Sequence, residues 1–489
     1  LNEAIAEPEG LLRRRLGLAL GPLLALSVYA ALPATGDTAL SEAGRATAAI
    51  GVLMACWWLT EALPLPITAM LPLALFPLLG VTPIATTARP YADSVIFLFM
   101  GGFMLGLAME RWGLHRRLAL SIILAVGTAP RRLVAGFMIA TAFLSMWISN
   151  TATTIILLPV AQSVVTLMLN RDDIDPLSAR RFATCLTLSI AYSASIGGAG
   201  TLIGSPPNLV VASYASQQLD CEIGMLDWMR FGIPSVLLML PLAWLYLTRI
   251  AFPFDAHAIP VGREQIRSAL HALGPMQRGE KIVAAVFSTT ALAWMLRPQL
   301  AGWIGMPGLS DTGIAIIAAS LLFLIPVRRG VATLDWDTAV RLPWGVLLLF
   351  GGGLSLAAAI SAHHVDQFIA GTLGSLGELP PLVLLLAIVA LVISVTELTS
   401  NTAVATTFAP ILAAVALGLG GSPMLALLAI GIGANYAFMM PVATPPNAIV
   451  FASGRVTIGQ MARTGLVLNL FAIVVVTALV WLAAPGVCE

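Results

Sequence analysis

The chain has 489 residues, of which 58% are hydrophobic and only 10% charged, with a mean hydropathy of +0.93. A soluble domain carries roughly 25% charged residues, so this composition excludes one and points to an all-α integral membrane protein; the lack of period-2 strand patterning excludes a β-barrel. A formal net charge of +1 offers no basic surface to nucleic acid, and the scattered cysteines Cys56, Cys185, Cys221 and Cys488 spell neither a disulfide framework nor a metal site.

Arg13, Arg14 and Arg15 precede the first apolar run, as in a signal peptide. No convincing cleavage site follows, and further spans do, so the run is read as a retained first helix. Runs near the ~20 residues that cross a bilayer recur at 16–32, 46–62, 64–80, 94–110, 182–215, 229–252, 281–297, 312–327, 341–361, 424–453 and 460–485. They predict about eleven transmembrane helices. Two further pieces, 133–169 and 380–417, are read as re-entrant hairpins. The expected organisation is an N-terminal helix and loop over 1–45, a first repeat over 46–252, a cytoplasmic linker over 253–280 and a second repeat over 281–489.

With the N-terminus inside, only Arg45, Arg89, Arg230 and Arg297 fall in outward loops, leaving 21 of the 25 basic residues on the cytoplasmic side. That split fits the positive-inside rule and predicts an extracytoplasmic C-terminus in the cell's inner (plasma) membrane. The stretch 118–127, flanked by Arg116, Arg117, Arg131 and Arg132, is too short to span and is expected along the cytoplasmic surface.

Three motifs occur twice in the same order. "FMGGF" at 99–103 pairs with "LFGGG" at 349–353, "SNTATT" at 149–154 with "SNTAVATT" at 400–407, and "GSPPNLVVAS" at 204–213 with "ATPPNAIVFAS" at 443–453. Ordered recurrence argues for an internal duplication. The span at 94–110 is expected to run inward and its partner at 341–361 outward, which makes the repeats inverted, as in secondary transporters.

The Ser-Asn-Thr triplets 149–151 and 400–402 sit where each hairpin turns. Their hydroxyl and amide oxygens suit a hard cation, and their donors suit a carboxylate. Exposed helix N-termini beside them suit an anion. Each Pro-Pro-Asn, preceded by Ser205 or Thr444, breaks its helix because proline removes donors and strains the preceding turn. Unwound backbone at membrane depth is tolerated only where it is buried in protein or lines a cavity, so two hairpin tips and two breaks are expected to converge on one site. No Arg or Lys lies in either hairpin core, so a bound dianion must be offset by helix ends, amide donors and co-bound cations.

Other features admit plainer readings. Ser and Thr in membrane helices commonly bond their own backbone. The glycine pairs Gly101-Gly102 and Gly351-Gly352 suit close helix packing. Glu61 and Glu397 are acids within or near the membrane and so functional candidates, although Glu397, three residues before Ser400, equally suits a buried structural acceptor. His363 and His364 are expected to be solvated. No HExxH or comparable cluster occurs, which argues against an intramembrane enzyme, and the proline-broken duplicated site argues for alternating access rather than a channel.

At these residues the chain resembles the divalent-anion/sodium symporter family of di- and tricarboxylate carriers. The resemblance runs from "WWLTEALPLPITAMLP" at 57–72 through both triplets to "PVATPPNAIVFASG" at 441–454 and the final span. It implies a homodimer whose protomers each pair a scaffold with an elevator-type transport domain. It implies Na+ as the coupling ion, with one sodium site at Ser145, Ser149, Asn150 and the backbone of Gly198 (Gly197 and Gly200 being adjacent alternatives). The implied second site comprises Thr396, Ser400, Asn401 and the backbone of Thr399 and Ala443. The substrate carboxylates would meet Asn150, Thr151, Asn401 and Thr402, with Thr444 and Pro445 beside them. The implied function is sodium-coupled symport of dicarboxylates of the succinate, malate and fumarate type. The alternatives are a sodium-independent exchanger, or a tricarboxylate or sulfate carrier on the same scaffold.

Overall fold

The computed structural model describes residues 8–35, 39–169, 175–254, 263–374 and 380–483 and is mostly helical, at 79%. Among the described residues, six helices are long and apolar enough to cross a membrane: Ile84–Trp112, Asn150–Leu169, Met225–Ala251, Trp344–Ala362, Asn401–Gly418 and Ile458–Leu482. Leucines such as Leu237, Leu324 and Leu482, each more than 60% exposed at 66%, 75% and 77%, cover outer faces that a bilayer would contact. Helices Glu42–Thr60 and Arg278–Met295 stand where the runs at 46–62 and 281–297 were expected.

The run at 64–80 departs from its expected crossing. It forms two pieces, Leu65–Ala69 and Leu71–Leu78, of 5 and 8 residues. Pro66, Pro72 and Pro77 lie inside the run, and each removes a donor that a continuous helix needs. Even end to end these pieces reach only about 20 Å at 1.5 Å per residue, short of a ~30 Å hydrocarbon core. The linker is also more ordered than expected, since Arg263–Ala272 is an amphipathic helix that buries Ile266. The expected surface stretch is the helix Leu114–Val126. Arg117 anchors it by a two-pronged pair with Glu280, at 3.1 Å for each prong. Nearby, Arg111 pairs with Asp335 at 2.6 Å; the Thr338 hydroxyl and Arg111 together hold the Asp335 carboxyl down to about 2.

Two smaller expectations also change. Cys221 is disulfide-bonded, while Cys56 and Cys185 are free thiols. His363 is half-buried with its Nε2 3.1 Å from the Val81 carbonyl, and only His364 is exposed.

At each triplet two helices meet, Pro130–Ser145 and Asn150–Leu169 at the first, Pro381–Thr396 and Asn401–Gly418 at the second. Each second arm carries an internal proline, Pro159 or Pro410, at the same distance beyond Asn150 and Asn401. A helix also stops before each Pro-Pro-Asn and another starts on it: Pro176–Gly198 is followed by Pro206–Gln218, and Pro423–Gly433 by Pro445–Ala452. Ser205 and Thr444 are extended, with φ/ψ of −152/142 and −139/149. That is the conformation a following proline imposes.

Packing explains the glycines. Gly101 lies against Ala315, Gly351 against Tyr91 and Gly352 against the backbone of Ala69. Gly197 presses on the Ala142 backbone, so the first broken helix crosses the first hairpin with no room for a side chain. One core gathers the hairpins and broken helices, with Phe137, Tyr192, Trp228 and Phe438 among its members. A smaller core joins Met54, Trp58, Phe76, Leu356 and Ile360.

The Gly197 contact is testable. Gly197→Ala is expected to cost about 1–3 kcal/mol, as overpacking does, and to lower the thermal midpoint of the purified protein. Gly302→Ala, with nothing within 4 Å of the added methyl, should stay within about 0.5 kcal/mol of wild type. Equal melting of the two variants would overturn this packing account.

Candidate functional site

The two hairpin tips and two helix breaks meet around a cavity of about 810 Å³. One wall carries Ser149, Asn150, Thr151, Ser400, Asn401 and Thr402 from the hairpins. Ser205 and Pro206 from the first break, and Ala443, Thr444 and Pro445 from the second, extend it. All six residues expected to meet substrate carboxylates therefore line one cavity. Four helices begin there, at Asn150, Pro206, Asn401 and Pro445, and turn the positive ends of their dipoles toward it. The broken helices start on Pro-Pro and so contribute field without donors. The hairpin helices keep the N–H groups that a helix start leaves free.

The residues assigned to the first cation site come together behind this wall. The Ser145 hydroxyl donates to Asn150 Oδ1, and Ser149 Oγ accepts from the Ala152 amide at 3.1 Å. Among the three candidate glycines, Gly198 is the one that faces the Asn150 carboxamide: a methyl there would stand 2.9 Å from both its oxygen and its nitrogen. Gly197 and Gly200 face Ala142 and Met146 instead. Asn208 then holds the loop, donating to the carbonyls of Gly198 at 2.9 Å and Thr201 at 2.7 Å.

The second repeat repeats this pattern. Thr396 Oγ1 donates to Asn401 Oδ1 at 2.7 Å and also lies 3.2 Å from the Ala434 carbonyl. Asn447 donates to the carbonyls of Ala437 at 3.0 Å and Met440 at 3.1 Å. Those carbonyls stand ten and seven residues before Asn447, as Gly198 and Thr201 stand before Asn208. Ala437 thus holds the place of Gly198, whereas Ala443, assigned by resemblance, lines the cavity beside Thr444. The Thr399 hydroxyl is buried without a protein partner, as are Oδ1 of Asn435 and Oδ1 of Asn447. A neutral, oxygen-rich donor set with unfilled capacity fits a hard monovalent cation. Thr154 and Thr406 follow the plainer pattern, bonding the carbonyls of Asn150 and Thr402 at 2.8 Å.

The opposite wall was not legible as a site. Phe99, Phe103, Glu110 and Arg341 line it, with Glu61. Arg341 is one of the 21 basic residues expected on the cytoplasmic side, and its closeness to Pro343 at the foot of the glycine-rich span is the one hint the sequence holds. Glu397 does not line the cavity. It is buried and accepts from the Phe438, Met439 and Met440 amides and from Asn469, which resolves it as an acceptor within the fold.

Comparison with known proteins places this geometry. The family described as the sodium:sulfate symporter transmembrane region matches residues 17–484. The sodium-dependent dicarboxylate transporter SdcS of Staphylococcus saprophyticus is 41% identical over 477 residues, covering 96% of this chain and 91% of that one. Its namesake in Staphylococcus aureus (strain USA300) is 40% identical over 476 residues, with the same coverage. In fold alone, the chain is similar to the crystal structure of the Alcanivorax borkumensis YdaH transporter, with a TM-score of 0.55 and 17% identity over 98% of this chain and 99% of the other. With paired hairpin tips and helix breaks facing one cavity, and a family match running almost from end to end, the chain belongs to the sodium:sulfate symporter family of membrane transporters, the divalent-anion/sodium symporters that its motifs resemble.

Proposed function

We propose that this protein is a secondary active transporter that couples the movement of Na+ to that of a C4-dicarboxylate of the succinate, malate and fumarate type. The observation that carries this reading is the cavity wall, in which four helix starts turn their positive ends inward and two Ser-Asn-Thr tips offer oxygens and N–H donors, with no basic residue among them. The relatives named as sodium-dependent dicarboxylate transporters support it.

Coupling follows from electrostatics. Sodium ions at the Ser145–Asn150 and Thr396–Asn401 oxygens would place positive charge beside the tips where the substrate carboxylates meet Asn150, Thr151, Asn401 and Thr402, with Thr444 and Pro445 alongside. An anion site that is incomplete without cations fills well only when they are present, and the reverse holds by linkage. The family's sodium:sulfate description favours sulfate as the second reading, since the same donors suit an inorganic dianion.

The finer architecture belongs to the same proposal. The repeats over 46–252 and 281–489 are inverted, joined by the linker 253–280, and each carries one hairpin. Each hairpin packs on the broken helix of its own repeat. Asn435 donates to Asn208 Oδ1 at 2.8 Å and ties the two breaks together. The site therefore moves as one body against a scaffold, in an elevator motion within a homodimer. Arg341, exposed on the cavity's far wall, belongs to a loop assigned to the cytoplasm, so the cavity opens inward. Cys221, disulfide-bonded in a loop assigned to the outside, agrees with that orientation, because disulfides persist on the oxidising side.

Reconstituted protein is expected to accumulate labelled succinate under an inward sodium gradient and to lose this when choline replaces sodium; undiminished uptake in choline would refute the coupling, and a preference for sulfate would favour the second reading. Asn401→Ala removes the oxygen that Thr396 bonds and should lower uptake about 10- to 100-fold, the equivalent of one buried polar interaction. Wild-type rates in a normally expressed Asn401→Ala would overturn the site. For orientation, a cysteine at Arg267 should react with an impermeant thiol reagent only after cells are opened, and one at Gln367 in intact cells. The opposite pattern would invert the topology.

A further inference from the structure

Met146 and Glu397 hold the same place in the two hairpins, three residues before Ser149 and Ser400. Each faces its own helix break, but the chemistry differs. In the first repeat the Thr201 hydroxyl donates to the Met146 carbonyl at 2.5 Å. The amides of Ala199 and Gly200 close onto their own chain, at Ile196 (3.3 Å) and Gly197 (2.8 Å). In the second repeat the corresponding amides, of Phe438 and Met439, and that of Met440 turn to the hairpin instead. All three donate to the Glu397 carboxylate, at 2.6, 3.0 and 3.1 Å. Asn469, from the last helix, adds a fourth donor at 2.7 Å. Glu397 is only 4% exposed, and no salt bridge to it appears among the described residues.

We infer that Glu397, backed by Asn469, is the positioning residue of the second cation half-site. The hairpin grips the unwound loop at two points. Thr396 reaches Ala434 at the start of the loop, and Glu397 holds 438–440 in its middle. The first grip falls on the Ala434 carbonyl itself, the Ala437 carbonyl lies between the two grips, and the Thr396 and Asn401 oxygens belong to the same cluster. The carboxylate thus fixes the spacing of these oxygens before any ligand arrives and places a negative charge next to a cluster suited to a cation. Hydrogen bonds to a charged acceptor are about twice as strong as neutral ones, so the second half-site is preassembled through a charge, whereas the first is shaped by neutral bonds alone. The consequence for transport rests on the sodium-coupled reading above; the latch itself does not.

Glu397→Gln keeps the volume, removes the charge and turns one acceptor into a donor facing the loop amides. The first measurement is amide hydrogen exchange of the full-length protein in sodium-free nanodiscs. Amides of 438–440 should exchange at least about tenfold faster in Glu397→Gln than in wild type, the equivalent of one hydrogen bond to a charged group, while loop 199–204 stays unchanged. The second is uptake in proteoliposomes. Half-saturating sodium should rise about tenfold or more, with the succinate KM at saturating sodium held within about twofold, and Glu397→Asp should recover part of the sodium affinity. If Glu397→Gln does not fold, Asn469→Ala, which leaves the carboxylate and its backbone partners in place, should shift both readouts the same way by less.

Unchanged exchange at 438–440 would overturn the latch. Accelerated exchange with an unmoved sodium response would overturn its role in positioning the cation site. Wild-type uptake indifferent to sodium would refute the transport reading instead, and the exchange measurement would still decide the latch.

Discussion

A helix that breaks inside a membrane strips carbonyls of their partners where no water can replace them, and the structure depends on how Asn208 and Asn447 answer that. Each carboxamide nitrogen serves two loop carbonyls, Gly198 and Thr201 in one repeat, Ala437 and Met440 in the other. An unpaired buried carbonyl costs about 1–3 kcal/mol, and four would threaten a fold stable by only about 5–15 kcal/mol. Proline creates the break, and the asparagine that follows it makes the break tolerable. The Pro-Pro-Asn triplet is therefore one device, and it frees the stretch of backbone against which each hairpin tip then turns.

With the loops fixed, the rest of the site follows from dipoles and oxygens. Helix starts give a positive field without bringing a side-chain charge into the membrane, where such charges are expensive. A fixed arginine would hold a dianion regardless of any cation and would remove the reason for coupling. Hydroxyls and carboxamides leave the charge balance open, to be completed by ions that arrive and leave. The same economy of charge explains why Ser145, Gly198 and Thr396 lie behind the wall, touching Asn150 and Asn401 rather than the cavity.

Much of this was legible because the motifs carry backbone consequences. Pro after Ser205 or Thr444 dictates an extended residue, and Ser-Asn-Thr between apolar runs dictates a turn. The run at 64–80 misled because its apolarity suits a crossing, whereas Pro64, Pro66, Pro72 and Pro77 decide whether a helix continues. Arg341 and Glu110 were missed because nothing local marks them: they join the site only when the span at 344–362 and the helix at 94–112 come to face the hairpins. Glu397 stayed open between two roles because its partners, forty residues away at 438–440 and seventy at Asn469, are neighbours only in space. The Ala437 position was hidden for a simpler reason. The Gly198 place in the second repeat is filled by an alanine, so identity gave no signal, and only the asparagine hydrogen bonds align the two loops.

The bond from Asn435 to Asn208 crosses between the halves and is made by unlike partners. Counted back from Asn208 as Asn435 is from Asn447, the first half holds Ile196. A chain assembled from two copies of the first half would set that isoleucine where Asn435 now donates and leave the Asn208 oxygen bare. Two copies of the second half would instead offer each Asn435 donor an Asn447 Oδ1, the oxygen that has no partner in this chain. The seam between the two breaks is therefore one-sided: its single bond is owed to Asn435, and a chain that carried isoleucine at both of these places would have none.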